Sequence, residues 1–151
     1  MKQRKKFPPK TTSNYRSGLE EQIVQQLKRL KISFGYESEK IPYIRPEKLH
    51  KYTPDFILHK KVGTAMYIES KGRFLTADKQ KHILLRKQYP ELDLRFVFSN
   101  SKTRISKKSR TTYAMWCQKH GFKYADKFIP ESWIKELWTS NKKTTFIKSW
   151  T

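Results

Sequence analysis

The fold class follows most directly from one stretch of sequence, YTPDFILHKKVGTAMYIESK, residues 52–71. Two short runs of apolar and β-forming residues, Tyr52–Leu58 and Thr64–Glu69, flank a polar segment at His59–Gly63. Runs of this length around a segment that contains glycine predict two strands joined by a turn, which is a β-hairpin. We therefore expect a β-sheet at this point of the chain.

Helical patterns lie on both sides of this hairpin. Ser17 and Glu20 have the spacing of a capping box at the start of the first helix. Gly121 is placed to end a later helix, and Pro130 to open the last one. The predicted helices span residues 17–30, 76–89, 112–120 and 130–138, and an apolar strand spans residues 94–98. This order of elements predicts an α/β fold, in which a small mixed β-sheet is flanked by helices.

The chain divides into three parts by charge and by pattern. Residues 15–138 carry the predicted elements and form a single domain, as a length of 151 residues favours. Residues 1–14 are predicted to be a flexible basic arm, and residues 139–151 a basic tail. Within the domain, the two prolines of the sequence IPYIRP exclude a helix and a central strand. We therefore expect an extended bridge or an edge strand near residues 40–50.

The net charge of the chain indicates a polyanionic partner. The 34 Lys and Arg residues against 13 Asp and Glu residues give a formal net charge of +21. Binding of such an excess to phosphates releases condensed counterions, which favours nucleic acid as the partner. An anionic membrane surface is disfavoured because the sequence has no clear basic amphipathic helix with a continuous apolar face. The expected phosphate-binding residues are Arg16, Lys102, Arg104, Lys107, Lys108 and Arg110.

The composition excludes several protein classes. Hydrophobic residues make up 36% of the chain and aromatic residues 14%, which is enough for a core and excludes a fully disordered protein. The apolar runs stay far below the roughly 18–20 residues that span a bilayer. The one cysteine, Cys117, cannot form an internal disulfide, which is typical of proteins in a reducing cytoplasm. We expect neither a membrane partner nor a small-molecule cofactor.

The acidic residues that persist in this basic chain are the candidates for chemistry. Asp55 lies on the first strand of the hairpin, and Glu69 and Lys71 lie two residues apart at the end of the second, so these two share a face. Hydrolysis of a phosphodiester needs a hard cation, which carboxylate oxygens bind, and a positive group near the developing charge. Each residue also has an ordinary alternative, as a turn acid after proline or as a same-face ion pair. Their placement together in a chain of charge +21 favours a nuclease site.

The arrangement of Asp55, Glu69 and Lys71 resembles the PD-(D/E)xK nuclease superfamily. The surrounding sequence is similar, more narrowly, to endonuclease I of the T-odd bacteriophages, in register over residues 15–137. The matching stretches are RSGLE (16–20), the K-x-PY-x-x-P pattern (40–46), YTPDF (52–56), KG (71–72), KH (81–82), PELD (90–93), VFS (97–99), KHG (119–121), ADK (125–127) and WIKE (133–136). This chain departs from the family in having Ser70 inside the Glu-x-Lys and a longer hairpin turn around residues 59–64.

This resemblance implies an activity and an assembly. Members of the family are metal-dependent DNA endonucleases that resolve four-way (Holliday) junctions and other branched DNA by paired nicks. Their fold is restriction-endonuclease-like, and they are intertwined, domain-swapped homodimers whose lobes are joined by an extended bridge. Each active site takes an acid on the first helix from one chain and the remaining residues from the other. The implied partners are branched DNA and a second copy of the chain, in the cytoplasm of an infected bacterial cell.

The resemblance also assigns roles to residues. It selects Glu20, Asp55, Glu69 and Lys71 as catalytic residues. Asp55 and Glu69, with the carbonyl of Ser70, are expected to hold one Mg²⁺ or Mn²⁺ ion, and Glu20 to help hold a second. Lys71 is expected to orient or activate the attacking water and to offset charge at the phosphate. The spacing of Glu20 from Ser17 alone favours a capping role for this acid, so only the family match makes it a site residue.

Two other functions stay open at this point. The chain could be a nuclease of the same superfamily that acts on mismatched or linear DNA. It could also be a basic DNA-binding or packaging protein without enzymatic activity, for which only the charge matters. A divalent-metal cleavage assay on a branched substrate separates these possibilities.

Overall fold

The computed structural model describes residues 15–45, 48–61 and 63–139. The predicted arm of residues 1–14 lies outside these ranges, as does all of the predicted tail except Thr139. Four helices and seven strands occur in the described part of the chain. In order, they are α1 (Gly18–Arg29), β1 (Phe34–Tyr36), β2 (Ile41–Arg45), β3 (Lys48–Tyr52), β4 (Phe56–Leu58), β5 (Met66–Lys71), α2 (Thr76–Gln88), β6 (Leu94–Phe98), α3 (Tyr113–His120), β7 (Lys123–Asp126) and α4 (Glu131–Trp138).

The main sheet is mixed and has the strand order β1-β4-β5-β6-β7. The pairs β1·β4 and β4·β5 are antiparallel, whereas β5·β6 and β6·β7 are parallel. The β4·β5 pair is the hairpin that the sequence predicts. A small mixed sheet with four flanking helices confirms the predicted α/β class.

The helices cover the two faces of the sheet according to the alternation of strand side chains. On β6, Phe96 and Phe98 pack with side chains of α2 and α3, while Val97 packs with side chains of α1 and α4. Successive side chains of a strand point to opposite faces, so α1 and α4 cover one face and α2 and α3 the other. All five residues of β6 are buried, as expected for a strand with neighbours on both sides.

The strands β2 and β3 form a separate antiparallel pair that packs on α2. Gln88 of α2 accepts a hydrogen bond from the Ile44 amide (2.7 Å) and donates to the Ile44 carbonyl, while the Tyr89 hydroxyl donates to the Pro42 carbonyl. Residues 41–45 are extended, as the prolines require. Their role as a bridge between two subunits stays a prediction.

The strand predicted over residues 52–58 begins later than expected, so its predicted start is wrong. Tyr52 is the last residue of β3, and β4 begins only at Phe56. Pro54 lies in the gap between them, and proline cannot donate a backbone hydrogen bond to a neighbouring strand. The β1·β4 pairing continues by one residue beyond the strand ends, since the Asp55 carbonyl accepts a hydrogen bond from the Glu37 amide at 3.1 Å.

The helix boundaries agree with the signals in the sequence. The Ser17 hydroxyl accepts a hydrogen bond from the Glu20 amide (3.1 Å) at the start of α1, and Gly121 ends α3 with a φ of +74°. None of the helices in the described ranges is both long and apolar enough to cross a membrane.

Candidate active site

One cleft of about 420 Å³ collects most of the candidate residues. Its lining side chains are Arg16, Glu20, Glu37, Lys40, Thr53, Asp55, Glu69, Ser70, Lys71 and Lys81. The four residues predicted to be catalytic therefore line one cleft of a single chain, together with Ser70 and Arg16. The five basic residues between 102 and 110 are not part of this cleft.

Glu69 and Lys71 form the buried side of the site. They lie two residues apart on β5, and the Lys71 Nζ contacts Glu69 Oε1 at 3.2 Å, so the predicted shared face is confirmed. The other oxygen, Oε2, accepts a hydrogen bond from the hydroxyl of Tyr52. Glu69 is only 4% exposed. Burial raises the pKa of Glu69 to about 7, and the charge of Asp55 adds to this, while Lys71 and the Tyr52 hydroxyl act in the other direction.

Asp55 is held by Ser70 across the β4·β5 pair. The Ser70 amide and hydroxyl both donate to Asp55 Oδ2, at 2.9 and 2.8 Å. Continuing the register Phe56↔Ile68 by one residue places Asp55 opposite Glu69. Burial raises the pKa of Asp55, the two bonds from Ser70 oppose this, and the charge of Glu20 adds to it. The expectation that Ser70 faces the site through its carbonyl alone misses its hydroxyl, which contacts Asp55.

Glu20 only partly follows the capping-box interpretation. Ser17 caps α1, but Glu20 does not return the bond to the Ser17 amide; its Oε2 accepts from the Arg16 amide (2.8 Å) and from the Tyr36 hydroxyl (2.7 Å). Oxygens of Glu20, Glu37 and Asp55 lie within 4.8 Å of one another. The Glu20 carboxylate thus binds the Arg16 amide, just before the helix cap, and also lines the cleft. A role at the start of α1 does not exclude a role in the site.

Glu37 is a cleft residue that the sequence analysis did not identify. It lies in the turn after β1 with a φ of +46°, and it forms an ion pair with the exposed guanidinium of Arg16 at 3.0 Å. Its proximity to Asp55 arises because β1 pairs with β4, a tertiary contact that local sequence patterns do not reveal. Arg16, predicted to bind phosphate, is thus paired with an acid at the mouth of the cleft.

Asp78 is a second acid, after Glu37, whose contact with a site residue the sequence did not predict. It lies in the first turn of α2, where its Oδ2 accepts a hydrogen bond from the Leu75 amide at 3.0 Å. Its Oδ1 also accepts a hydrogen bond from Lys71 Nζ at 3.2 Å. Burial alone would lower the pKa of Lys71, but the charges of Glu69 and Asp78 outweigh it and raise this pKa above its usual value. Lys71 is therefore held between two carboxylates that favour its charged form.

The donors in the cleft fit a hard divalent cation. Glu20, Glu37 and Asp55 bring three carboxylates together, and the buried carboxylate of Glu69 lines the same cleft. The cleft is lined by oxygen ligands, with neither histidine nor cysteine among the lining residues. Oxygen ligands of this kind suit Mg²⁺ or Mn²⁺.

The five basic residues between 102 and 110 occupy the loop after β6. Because β5 and β6 are parallel and Lys71 pairs with Phe98, this loop leaves the sheet at the same edge as Lys71. All five side chains are exposed. Ser101 anchors the loop, since its amide and hydroxyl donate to Asp126 at 2.7 and 2.9 Å. Within the ranges that the structure describes, none of the five forms an ion pair.

Comparison with known proteins identifies the family of the chain. The sequence model of the family described as Phage endonuclease I matches residues 1–149. The chain is 48% identical over 122 residues to Endonuclease I of Escherichia phage T7, which covers 81% of this chain and 79% of that protein. It is also 48% identical over 122 residues to Endodeoxyribonuclease 1 of Enterobacteria phage T3, covering 81% and 78%. With a match over nearly its whole length and two relatives this similar, the chain belongs to the phage endonuclease I family.

Proposed function

We propose that this protein is a divalent-metal-dependent endonuclease that resolves four-way (Holliday) junctions and other branched DNA by paired nicks. As a member of the phage endonuclease I family, the chain is a deoxyribonuclease, a hydrolase that cuts DNA. One observation supports the proposed metal-dependent cleavage most directly. A single cleft, in a chain of charge +21, is lined by Glu20, Asp55, Glu69 and Lys71.

The residues of the cleft have distinct roles in this proposal. Asp55 and Glu69, with the Ser70 carbonyl, would hold one Mg²⁺ or Mn²⁺ ion, and Glu20 would help hold a second. A divalent ion bound there supplies polarisation of the phosphate and a lowered pKa for the attacking water. Lys71, which contacts Glu69 and Asp78, would orient or activate the water and would offset the charge that develops at the phosphate in the transition state.

The basic loop of residues 102–110 and Arg16 would bind the phosphates of the DNA arms. Contacts to phosphate fix the position of the substrate without reading its base sequence. Selectivity should therefore follow the shape of the branch. The direct test compares nicking of a four-way junction with nicking of a linear duplex of the same sequence, each in Mg²⁺ and in EDTA. We expect Mg²⁺-dependent nicks at the junction and little cutting of the duplex.

The same assay separates the two alternatives. Equal cutting of the linear duplex, or a preference for a mismatched one, would point to a PD-(D/E)xK nuclease with another target. Complete lack of a Mg²⁺-dependent product, with binding intact, would point to a packaging protein and would contradict the family assignment of the activity. The place of action in this proposal is the cytoplasm of the infected cell.

We propose further that the active form is a domain-swapped homodimer. The apolar side chains of Ile44 and Leu49 face each other across the β2·β3 pair and are 59% and 68% exposed in the single chain, which a partner subunit would cover. A two-fold dimer offers two equivalent sites to the two equivalent strands of a junction. Light scattering should give a mass twice the 18.2 kDa of one chain.

Exchange of α1 between subunits can be tested by complementation. Glu20→Gln and Asp55→Asn chains, each inactive alone, are unfolded together and refolded as a mixture. In an exchanged dimer of the two variants, one site receives Glu20 from one chain and Asp55 from the other, so nicking returns. If each site is built within one chain, both sites of the mixed dimer stay defective and nicking does not return.

A further inference from the structure

Two tyrosine hydroxyls contact two of the three glutamates that line the cleft, one each. The Tyr52 hydroxyl donates to Oε2 of Glu69, and the Tyr36 hydroxyl donates to Oε2 of Glu20 at 2.7 Å. The two tyrosines come from different parts of the fold, Tyr52 from the end of β3 and Tyr36 from the end of β1. The same contact thus occurs independently on both sides of the site.

The tyrosine rings themselves are fixed by packing. Tyr52 is 2% exposed, and its ring lies edge-on to His82 with a centroid distance of 5.3 Å. Tyr36 packs edge-on against Tyr15, with ring centroids 4.8 Å apart, and its ring is tilted against that of Phe56 at 5.5 Å. A hydroxyl at the end of a packed ring is a donor whose position is set by the core and not by the flexible carboxylate.

We propose that Tyr52 and Tyr36 are positioning residues that aim Glu69 and Glu20 at the divalent cations of the active site. The inference rests on the proposed metal-dependent function. A glutamate side chain has three rotatable bonds, and fixing it on metal binding costs conformational entropy. When one oxygen is already held by a tyrosine, less of that entropy is lost, and the other oxygen stays directed toward the cleft. Hydrogen bonds behind metal ligands orient those ligands and tune the affinity of the site.

The contacts around each glutamate agree with this role. Glu69 Oε2 is held by Tyr52, while Oε1 contacts Lys71 Nζ at 3.2 Å and would be the oxygen that faces a cation. On Glu20, both hydrogen bonds, from Tyr36 and from the Arg16 amide, go to Oε2. In each case one oxygen is anchored on the protein.

The experiment measures Mn²⁺ binding by calorimetry, without DNA, for the full-length wild type and for Tyr52→Phe and Tyr36→Phe. Each substitution removes one hydroxyl and keeps the ring. We expect each to weaken Mn²⁺ binding by about 10- to 100-fold. The kcat of junction nicking should fall at low Mn²⁺ and recover at high Mn²⁺, while the affinity for the junction stays unchanged. If the hydroxyls had a purely structural role, high Mn²⁺ would not restore the kcat of nicking.

Controls separate this inference from the proposed function. Tyr89→Phe deletes a hydroxyl that donates to the Pro42 carbonyl, and it should bind Mn²⁺ like the wild type. Asp55→Asn should greatly weaken Mn²⁺ binding. If it does, but the Tyr52 and Tyr36 variants bind like the wild type, the positioning role is wrong and the metal site stands. If the wild type itself binds no Mn²⁺, both the positioning role and the metal site are overturned.

Thermal unfolding in EDTA checks that each variant folds. Tyr36 is partly exposed, so Tyr36→Phe keeps the test available should Tyr52→Phe not fold.

Discussion

Asp55 receives two hydrogen bonds on one oxygen from a single residue, because the Ser70 amide and hydroxyl both donate to its Oδ2, at 2.9 and 2.8 Å. Ser70 lies on β5 between Glu69 and Lys71, so the strand that carries two site residues also orients the third. Oδ1 of Asp55 is left to accept a cation. This relationship makes Ser70 more than a spacer inside the Glu-x-Lys sequence.

Ser70→Ala removes the hydroxyl and keeps the backbone amide. Since one of two bonds that orient Asp55 is lost, we expect the Mg²⁺ concentration for half-maximal nicking to rise by about tenfold. A titration of nicking rate against Mg²⁺ measures this. Ser70→Thr keeps a hydroxyl and should behave like the wild type, whereas a Mg²⁺ dependence of Ser70→Ala that coincides with the wild type would show that the hydroxyl is irrelevant.

The stability of the metal-free protein should depend on pH through Glu69. Its pKa is about 7 in the folded chain against 4.5 for an ordinary glutamate, so the stabilisation is complete below pH 4.5 and is lost as the pH rises to about 7. The loss is on the order of 3 kcal/mol of unfolding free energy. Glu69→Gln does not titrate and should escape this loss, as urea unfolding in EDTA at several pH values will show.

The quantity to compare is the difference in unfolding free energy between Glu69→Gln and the wild type at each pH. From pH 4.5 to 7.5, the unfolding free energy of Glu69→Gln should gain on that of the wild type. A difference that stays constant over this range would mean that Glu69 is not held protonated by burial and by Asp55.

Asp78→Asn should impair catalysis without weakening DNA binding. Asparagine still accepts the Leu75 amide, so α2 keeps its cap, but Lys71 loses a carboxylate at 3.2 Å. A lost charge-assisted hydrogen bond is worth about 1.5–3 kcal/mol, so the kcat of nicking should fall by about tenfold or more. Glu131→Gln, an exposed acid in the first turn of α4, is the matched control. An unchanged kcat for Asp78→Asn would remove this residue from the positioning of Lys71.

Binding to DNA should depend steeply on salt because of the basic loop. If about six phosphates are contacted, affinity should fall by about 10³-fold between 50 and 200 mM salt. Lys107→Ala combined with Lys108→Ala should weaken binding for all sequences and reduce the salt slope by about one per lost phosphate contact. Lys135→Ala, on α4 and paired with Glu131 at 3.3 Å, serves as the control. A flat salt response in the wild type would exclude the loop as the DNA contact.

The parts of the fold that could be predicted are those with local signals. The glycine-containing turn between apolar runs predicts the β4·β5 hairpin, and the two-residue spacing of Glu69 and Lys71 predicts their shared face, which the 3.2 Å ion pair confirms. Strand β7 was missed, because Lys123–Asp126 is short and its alternation carries little apolar signal.

The parts of the site that could not be predicted depend on tertiary contacts. Glu37 approaches Asp55 only because β1 pairs with β4, and Asp78 reaches Lys71 only because α2 begins close to the end of β5. Tyr52 was assigned to the wrong strand: it ends β3, which Pro54 separates from β4, and its hydroxyl donates to Glu69. Residues that support a site from another element leave no spacing pattern in the sequence.

The most direct test of the account measures nicking and binding of a four-way junction by Asp55→Asn beside the wild type, in Mg²⁺. Because Asp55 is expected to hold the metal ion, nicking should be almost completely lost. Binding should be kept or tightened, since a carboxylate that repels the phosphate has been removed. A variant that cuts the junction at the wild-type rate would contradict the assignment of the cleft as the active site.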